Sequence, residues 1–338
     1  MGYRKALALG QGCGRAAACR HQKPSILWAS LMRILLTGTG GQVGGALQPL
    51  LARLGTIIAP DINEFDLSKP DRLVGGLDTF QPDLIINPAA YTAVDRAEDE
   101  CELAFRINAG GPEVIAQWAA KRRVPLVHFS TDYVFDGSGK APWREDSPTR
   151  PLSVYGASKL AGDTAICAAG GPHLIARTSW VYAAKGANFL RTIARLAAER
   201  KELRIVADQI GAPTTARTIA NAIADIVLPN LSNLNELFAR KGGVVNLVCV
   251  GETSWHGFAS AIVTSLRSRG LPVEVERIVP IATADFPTKA KRPGNSRLDV
   301  SRLNRQFGVV TPTWQKALSL ELNDFVALQH QAAQRANS

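Results

Sequence analysis

From residue 32 onward, short apolar runs alternate with stretches in which apolar residues recur at three- and four-residue intervals. The runs at 33–37, 56–59, 83–87, 125–130 and 173–177 are apolar on most successive positions rather than on every second one. That pattern marks strands covered on both faces. Between them, 42–54 and 100–123 predict helices, the second through Leu103, Ile107, Val114, Ile115 and Trp118. Apolar strands alternating with helices predict an α/β fold, a doubly wound parallel sheet. Pro49 falls inside the first helix, where it removes a backbone donor and should kink that helix or end it early.

The second half is less regular. Helices are predicted over 189–200, 215–227, 254–269 and 314–335, short strands over 203–206 and 244–248, and a Pro-rich basic loop over 286–297. These elements predict a smaller α/β lobe against the sheet, with a ligand in the cleft between them.

Composition narrows the possibilities. Hydrophobic residues make up 46% and charged residues 20% of the 338, a globular rather than a disordered balance. No apolar run approaches the length of a membrane-spanning helix. Lys and Arg (39) exceed Asp and Glu (29), yet Arg4, Lys5, Arg15, Arg20 and Lys23 lie in an acid-free stretch before residue 32. The rest is mildly basic, which suits a small phosphorylated ligand and argues against a nucleic-acid partner. The apolar stretch 6–9 is too short for a signal-peptide core. Residues 1–31 are expected to be a disordered extension, or one upstream of the native start, ahead of a fold that starts at Met32. The 5 cysteines are odd in number and scattered, as reduced thiols of a cytoplasmic protein would be. Cys13, Cys19 and His21 have no second ligand pair at zinc-site spacing, so no metal is expected there.

Three motifs carry chemistry. Thr37-Gly-Thr-Gly-Gly-Gln-Val-Gly44 follows the first strand and opens a helix. Gly38, Gly41 and Gly44 would allow a tight turn, close approach of a pyrophosphate and close helix packing, with the helix N-terminus facing the anion. Asp61 follows the second strand at the distance of an acid that accepts a ribose hydroxyl, and Asp66-Leu67 would lie beside the adenine. Tyr155-Gly-Ala-Ser-Lys159 sets a phenol and an ammonium on one helix face, and the cation is expected to lower the phenol's pKa. Thr131 ends an apolar strand, where its hydroxyl could donate to a carbonyl oxygen as negative charge develops. Each feature also has a plain structural reading: a turn, a solvated acid, a helix-face pair, a strand cap. Their order along one chain favours a dinucleotide-dependent enzyme. On that basis 32–180 is expected to be the dinucleotide-binding core, and 181–338 mainly the lobe for the second ligand, with the chain crossing back to the core.

Glycine loop, strand-end hydroxyl and Tyr-x-x-x-Lys helix together resemble the extended short-chain dehydrogenase/reductase superfamily, with its Rossmann fold. Longer strings narrow the resemblance: Tyr91-Thr-Ala-Val-Asp-Arg-Ala-Glu98, Ser130-Thr-Asp-Tyr-Val-Phe135, Arg177-Thr-Ser-Trp-Val-Tyr182, Asp208-Gln-Ile-Gly-Ala-Pro-Thr214 and Arg292-Pro-Gly-Asn-Ser-Arg297. They look like the dTDP-4-dehydrorhamnose reductase family. The resemblance implies hydride transfer from NADPH, or NADH, to the C4 ketone of a dTDP-sugar. It implies Tyr155 as proton donor, Lys159 as its partner and Thr131 as carbonyl polariser. It places Gly41, Gln42 and Val43 at the pyrophosphate, and Ala90, Tyr91, Thr92 and Phe129 along the rest of the cofactor. Thr131, Asp132 and Trp180 would meet the sugar, and Arg292 the nucleotide diphosphate.

Two departures stand out. Pro88 occupies a position where the family usually reads Asn-Ala-Ala-Ala, and it removes a backbone donor near the cofactor. Ala46 and Arg217 stand where some relatives place glutamates for an interface magnesium, so no metal is expected, while a homodimer is still allowed. Two rivals share the motifs: a sister reductase making the C4 epimer, a 6-deoxy-talose, and a non-catalytic regulatory subunit like the β subunit of methionine adenosyltransferase.

Overall fold

The computed structural model describes residues 32–336. The expectations for residues 1–31, including Cys13, Cys19 and His21, lie outside them. Six strands form one sheet: β1 (Met32–Leu36), β2 (Gly55–Ile58), β3 (Leu84–Asn87), β4 (Leu126–Thr131), β5 (His173–Thr178) and β6 (Gly243–Asn246). Their spatial order is β6-β5-β4-β3-β1-β2, and every pairing is parallel. The chain leaves β1 toward β2 on one side and returns to β3 on the other. The crevice at the carboxyl ends of β1 and β3 is therefore the place where this topology opens a ligand site.

Both faces are covered, which explains the apolar runs. Ile34, Leu36, Leu84 and Ile86 pack toward Leu47 and Leu51 of helix Gln42–Leu51 and toward Ile219 and Ile223 of helix Ala216–Val227. Leu35, Ile85 and Ile175 face the other way, toward Leu73 and Leu77 of helix Pro70–Phe80 and toward Ile115 of helix Gly111–Arg122. Each such side chain stabilises the fold by about 1.5–3 kcal/mol when buried.

Two predicted helices are revised. The first ends at Leu51, not 54; Pro49 lies in its last turn, and Ala52 N–H closes it onto Gln48 O at 3.0 Å. The long 100–123 helix is three pieces: Cys101–Phe105, a π-helical turn over Arg106–Gly110, and Gly111–Arg122. The widened turn carries the fully buried Asn108, which accepts from Tyr91 N (2.8 Å) and donates to Tyr91 O (3.0 Å) and to Ser158 Oγ (3.0 Å). Such π-turns recur at functional sites.

A second apolar cluster lies in the later half, built from Leu190, Ile193, Phe258, Ile262, Leu318 and Leu322. Strands Glu202–Val206 and Arg277–Ile281 pair in parallel beside it. The loop predicted over 286–297 is more fixed than a solvated loop: Asn295–Ser296 forms a short buried strand, parallel to Ile210–Gly211. Among the described residues no helix is long and apolar enough to cross a membrane, and Cys101, Cys167 and Cys249 are free thiols.

Candidate active site

The glycine loop is built by close contact. Gly38 has φ +58°, and a Cβ there would stand 2.9 Å from the backbone of Ala89, just beyond β3. A Cβ on Gly44 would come within 2.2 Å of Gly38 O. Gly41 N–H donates to Gly38 O at 3.0 Å, and Gly41 caps helix Gln42–Leu51 without a side-chain partner for the first turn. That turn contains no acid. Unpaired N–H groups, the positive end of the helix and a loop surface free of side chains fit a pyrophosphate. A cavity of about 770 Å³ opens beside the loop, lined by Thr39, Gly40, Gly41, Gln42, Lys185 and Gly186 among others. None of Thr131, Tyr155 and Lys159 lines it.

The other cofactor-side residues fall into three settings. Asp61 is exposed at the end of β2, with Oδ1 accepting from Asn63 N (2.7 Å) and Glu64 N (3.2 Å). Asp66 pairs with Lys69 at 2.9 Å. Leu67 and Phe129 are core residues, on opposite faces of the sheet. Val43 is half-buried against the same cluster as Phe129. Gln42 Oε1 accepts from Asn188 Nδ2 at 3.1 Å, which ties the loop to the cap of helix Phe189–Glu199. In the Ala90-Tyr91-Thr92 segment the Tyr91 phenol donates to Glu100 at 2.6 Å, and its backbone N–H and C=O are both taken by Asn108.

Tyr155 and Lys159 ride on helix Val154–Ala168, capped by Ser153 Oγ, which accepts from Gly156 N at 3.2 Å. Two glycines let this helix sit unusually close to its neighbours. A Cβ on Gly156 would be 2.2 Å from Tyr133 O, and one on Gly162 2.1 Å from Asn108 O. The close approach brings Tyr155 beside the Thr131 hydroxyl at the carboxyl end of β4, with the Tyr133 ring edge-on to Tyr155 at 5.5 Å. Thr131 Oγ1 donates to Asp132 Oδ1 at 3.2 Å and accepts from Tyr133 N at 3.2 Å.

The electrostatics differ from the simple expectation. Burial pushes the Tyr155 phenol up to about 12; the Thr131 hydrogen bond offsets this in part, and Asp132 and Asp163 add to it. Lys159 does not lower it. Its ammonium turns inward, 3.0 Å from His128 Nε2, and burial lowers its pKa to about 8, against the pull of Asp163. Tyr155 thus keeps its proton at neutral pH, and Lys159, lowered to about 8, is still mainly the ammonium there. Asp132, 1% exposed, is raised to about 7 by burial, only partly offset by Ser296 and Thr131, and its Oδ2 has no partner.

On the far side of the site, Trp180 stands at φ +49°, a strained conformation for a residue with a side chain. It stacks on Trp255 with ring centres 3.7 Å apart. The stack is seated over Gly211, where a Cβ would be 2.8 Å from the Trp180 ring. Arg292 makes a two-pronged pair with Asp95 (3.1 and 2.7 Å), and Lys289 pairs with Asp99. The basic loop is therefore partly neutralised by Asp95 of the Tyr91–Glu98 string and by Asp99 just after it. Ala46 lies in the wall of the large cavity, and Arg217 pairs with Glu321 and Asp324. Sequence reasoning had assigned no role to Asn108, His128, Asp163, Asp95 or Trp255. Only Asp95 stood in a quoted motif.

The profile of the RmlD substrate binding domain matches residues 32–327. The chain belongs to this family. Among curated RmlD-type relatives, the dTDP-4-dehydrorhamnose reductase of Burkholderia thailandensis is 46% identical over 88% of this chain and 100% of its own length. The crystal structure of a dTDP-4-dehydrorhamnose reductase from Clostridium acetobutylicum superposes with a TM-score of 0.77 at 34% identity, over 86% of this chain and 99% of that one. The enzyme of the same name from Bacillus anthracis, solved in complex with NADP, has a TM-score of 0.77 at 32% identity, over 87% of this chain and 99% of that one.

Proposed function

We propose that this protein reduces the C4 ketone of dTDP-4-dehydro-β-L-rhamnose to dTDP-β-L-rhamnose in the cytoplasm, using NADPH, with NADH as a second donor. The observation that carries the reading is the meeting of Thr131 and the proton-bearing Tyr155 at the carboxyl end of β4, two strands from the glycine loop. The reduced nicotinamide, when bound, supplies the hydride to the carbonyl carbon. Tyr155 holds a proton on its phenol oxygen and gives it up as negative charge builds on the carbonyl oxygen. Thr131 lends its hydroxyl to the same oxygen. Lys159 supplies positive charge beneath the site, and the Gly38–Gly44 loop holds the pyrophosphate. Asp132, with a free oxygen, accepts from a sugar hydroxyl, and Trp180 on Trp255 forms an apolar wall. In this division of labour 32–180 serves the cofactor, and 181–338 serves mainly the sugar nucleotide.

The test is turnover of purified protein with dTDP-4-dehydrorhamnose and NADPH, followed by the fall in reduced-nicotinamide absorbance and by proton NMR of the product ring. Substrate-dependent oxidation giving the rhamno product is expected. No oxidation, with a known reductase active in parallel, moves the reading to a binding subunit, and a talo product moves it to the sister enzyme.

A further inference from the structure

His128 is 1% exposed in the middle of β4 and takes no part in the chemistry described above. Its Nε2 lies 3.0 Å from Lys159 Nζ and its Nδ1 lies 3.2 Å from Asn87 Nδ2. Asn87 Oδ1 in turn accepts from Thr37 Oγ1 at 2.6 Å, and Thr37 is the residue before Gly38. Ala89 N–H, against which Gly38 packs, donates to the same Thr37 oxygen at 3.3 Å. Thus a line of buried side chains crosses β1, β3 and β4 under the crevice and ends at the ammonium of the catalytic helix.

We propose that His128 is a positioning residue for the reduction, acting through Lys159 as the middle link of a hydrogen-bonded chain, Thr37–Asn87–His128–Lys159, that couples the catalytic helix to the base of the glycine loop. This rests on the reading of Lys159 as the partner of Tyr155. A buried cation with no acceptor is costly, and the imidazole is the neutral acceptor within reach. Burial, and the neighbouring Lys159 charge, hold the His128 pKa well below its ordinary value, so the ring stays neutral. A neutral ring has one donor and one acceptor, so the chain has two directions. If Asn87 Nδ2 donates to Nδ1, the ring proton is on Nε2 and points at Lys159, which is then the free amine. With Lys159 as the ammonium, Nε2 accepts, the proton moves to Nδ1, and the Asn87 amide turns over to receive it. His128 thereby offers Lys159 a partner in both protonation states.

Among the described residues, His128 is the side chain within hydrogen-bond distance of Lys159 Nζ. Asp163, one turn along the same helix, makes no ion pair with Lys159: its Oδ2 accepts from Ser130 Oγ (2.8 Å) and Arg177 Nε (3.2 Å), and its buried Oδ1 is left without a partner. Asp132, Tyr155 and Thr131 interact with one another at the end of β4.

The test uses two amides that differ in reach. His128→Gln can place a polar atom where Nε2 stands; His128→Asn reaches only the Nδ1 position and strands Lys159. We expect His128→Asn to lower kcat about tenfold, the loss of one hydrogen bond to a charged group, with KM little changed. The alkaline limb of its pH–rate profile should move to lower pH, because the ammonium has lost its acceptor. His128→Gln should restore most of kcat and the wild-type limb. Lys159→Met, measured alongside, separates the two readings. If it keeps normal turnover, the assignment of Lys159 falls. If it is inactive while folded His128→Asn keeps the wild-type kcat and pH profile, the positioning role alone falls. The wild-type protein gives a measurement that needs no variant. With ¹⁵N-labelled histidine, the His128 ring should stay neutral from pH 6 to pH 10 and exchange its Nε2–H tautomer for Nδ1–H as Lys159 gains its proton. A tautomer that does not change over that range overturns the chain.

Discussion

The two sides of the crevice are made by different means. On the side proposed for the cofactor, backbone does the work: Gly38, Gly41 and Gly44, all within a dozen residues of β1, shape a loop that packs against the helix start and against Ala89 beyond β3. On the side proposed for the sugar nucleotide, side chains from remote parts of the chain meet in pairs. Trp180 stacks on Trp255, and Arg292 reaches Asp95 across 197 positions of sequence. A backbone-built site is rigid and tolerates almost no substitution at its contact points. A side-chain-built site can be altered one partner at a time, with graded effects. The catalytic helix belongs to both. Gly156 and Gly162 press it onto the core, and Tyr155 projects from it beside Thr131.

The largest effect is expected where the two sides meet. Tyr155→Phe keeps the ring and the helix but removes the proton, so kcat should fall by about 10²–10⁴, the usual share of general acid catalysis. NADPH affinity, measured by titration calorimetry, should stay near the wild-type value. Near-normal turnover would take Tyr155 out of the mechanism and leave the proton to Asp132.

Asp132 offers a pH-dependent contrast. Its folded pKa of about 7 is raised above the ordinary 3.8, chiefly by burial. A group raised in this way binds more protons folded than unfolded. Its contribution is fully present below the ordinary pKa and is lost as pH rises through about 7. Above that pH wild type carries a buried carboxylate that Asp132→Asn lacks. Thermal unfolding should therefore show the variant gaining on wild type between pH 5 and pH 8, even as its activity falls. A melting difference that is constant over that range would mean that Asp132 is solvated.

On the cofactor side, Gly44→Ala sets a methyl against Gly38 O and should cost about 1–3 kcal/mol of stability, the usual range for overpacking. Gly40→Ala, a few residues away, meets nothing within 4 Å and should leave the melting temperature unchanged. Equal melting temperatures for the two variants would deny that the loop is tight.

These differences also set what could be read from the chain alone. The five early strands and the glycine loop were legible because their signals are local: a continuous apolar run, then small residues, then a helical period. Strand β6 and helix Ala216–Val227 were visible as elements, but their return to the sheet was foreseen only in outline, since pairing partners leave no mark in single-sequence periodicity. The break at Arg106–Gly110 was missed because its cause is tertiary. Asn108 turns inward to serve Tyr91 and Ser158, and the apolar period runs on through it. The pKa of Tyr155 was misjudged for a similar reason. Helical spacing puts Lys159 on the same face, but the contact that decides where its ammonium goes is His128, which comes from a strand 31 residues earlier. Likewise, the basic string around Arg292 reads as free charge until Asp95 is found beside it.

That last pair gives the smallest and most discriminating effect. Arg292 and Asp95 are 25% and 45% exposed, so their mutual attraction is largely screened and contributes little to stability. Arg292→Ala should therefore leave the melting temperature almost unchanged. On the proposed reading, the guanidinium donors that Asp95 does not take would also meet the diphosphate. KM for the sugar nucleotide should then rise about fivefold, the scale of one partly screened ionic contact, with kcat within about twofold. Arg292→Lys should recover only part of the loss, since a single ammonium cannot span both partners. The difference between wild type and Arg292→Ala should shrink as salt is raised, because salt screens exposed charges. If KM stays at the wild-type value at low salt, the fork serves Asp95 alone, and the diphosphate is held by the backbone side of the crevice.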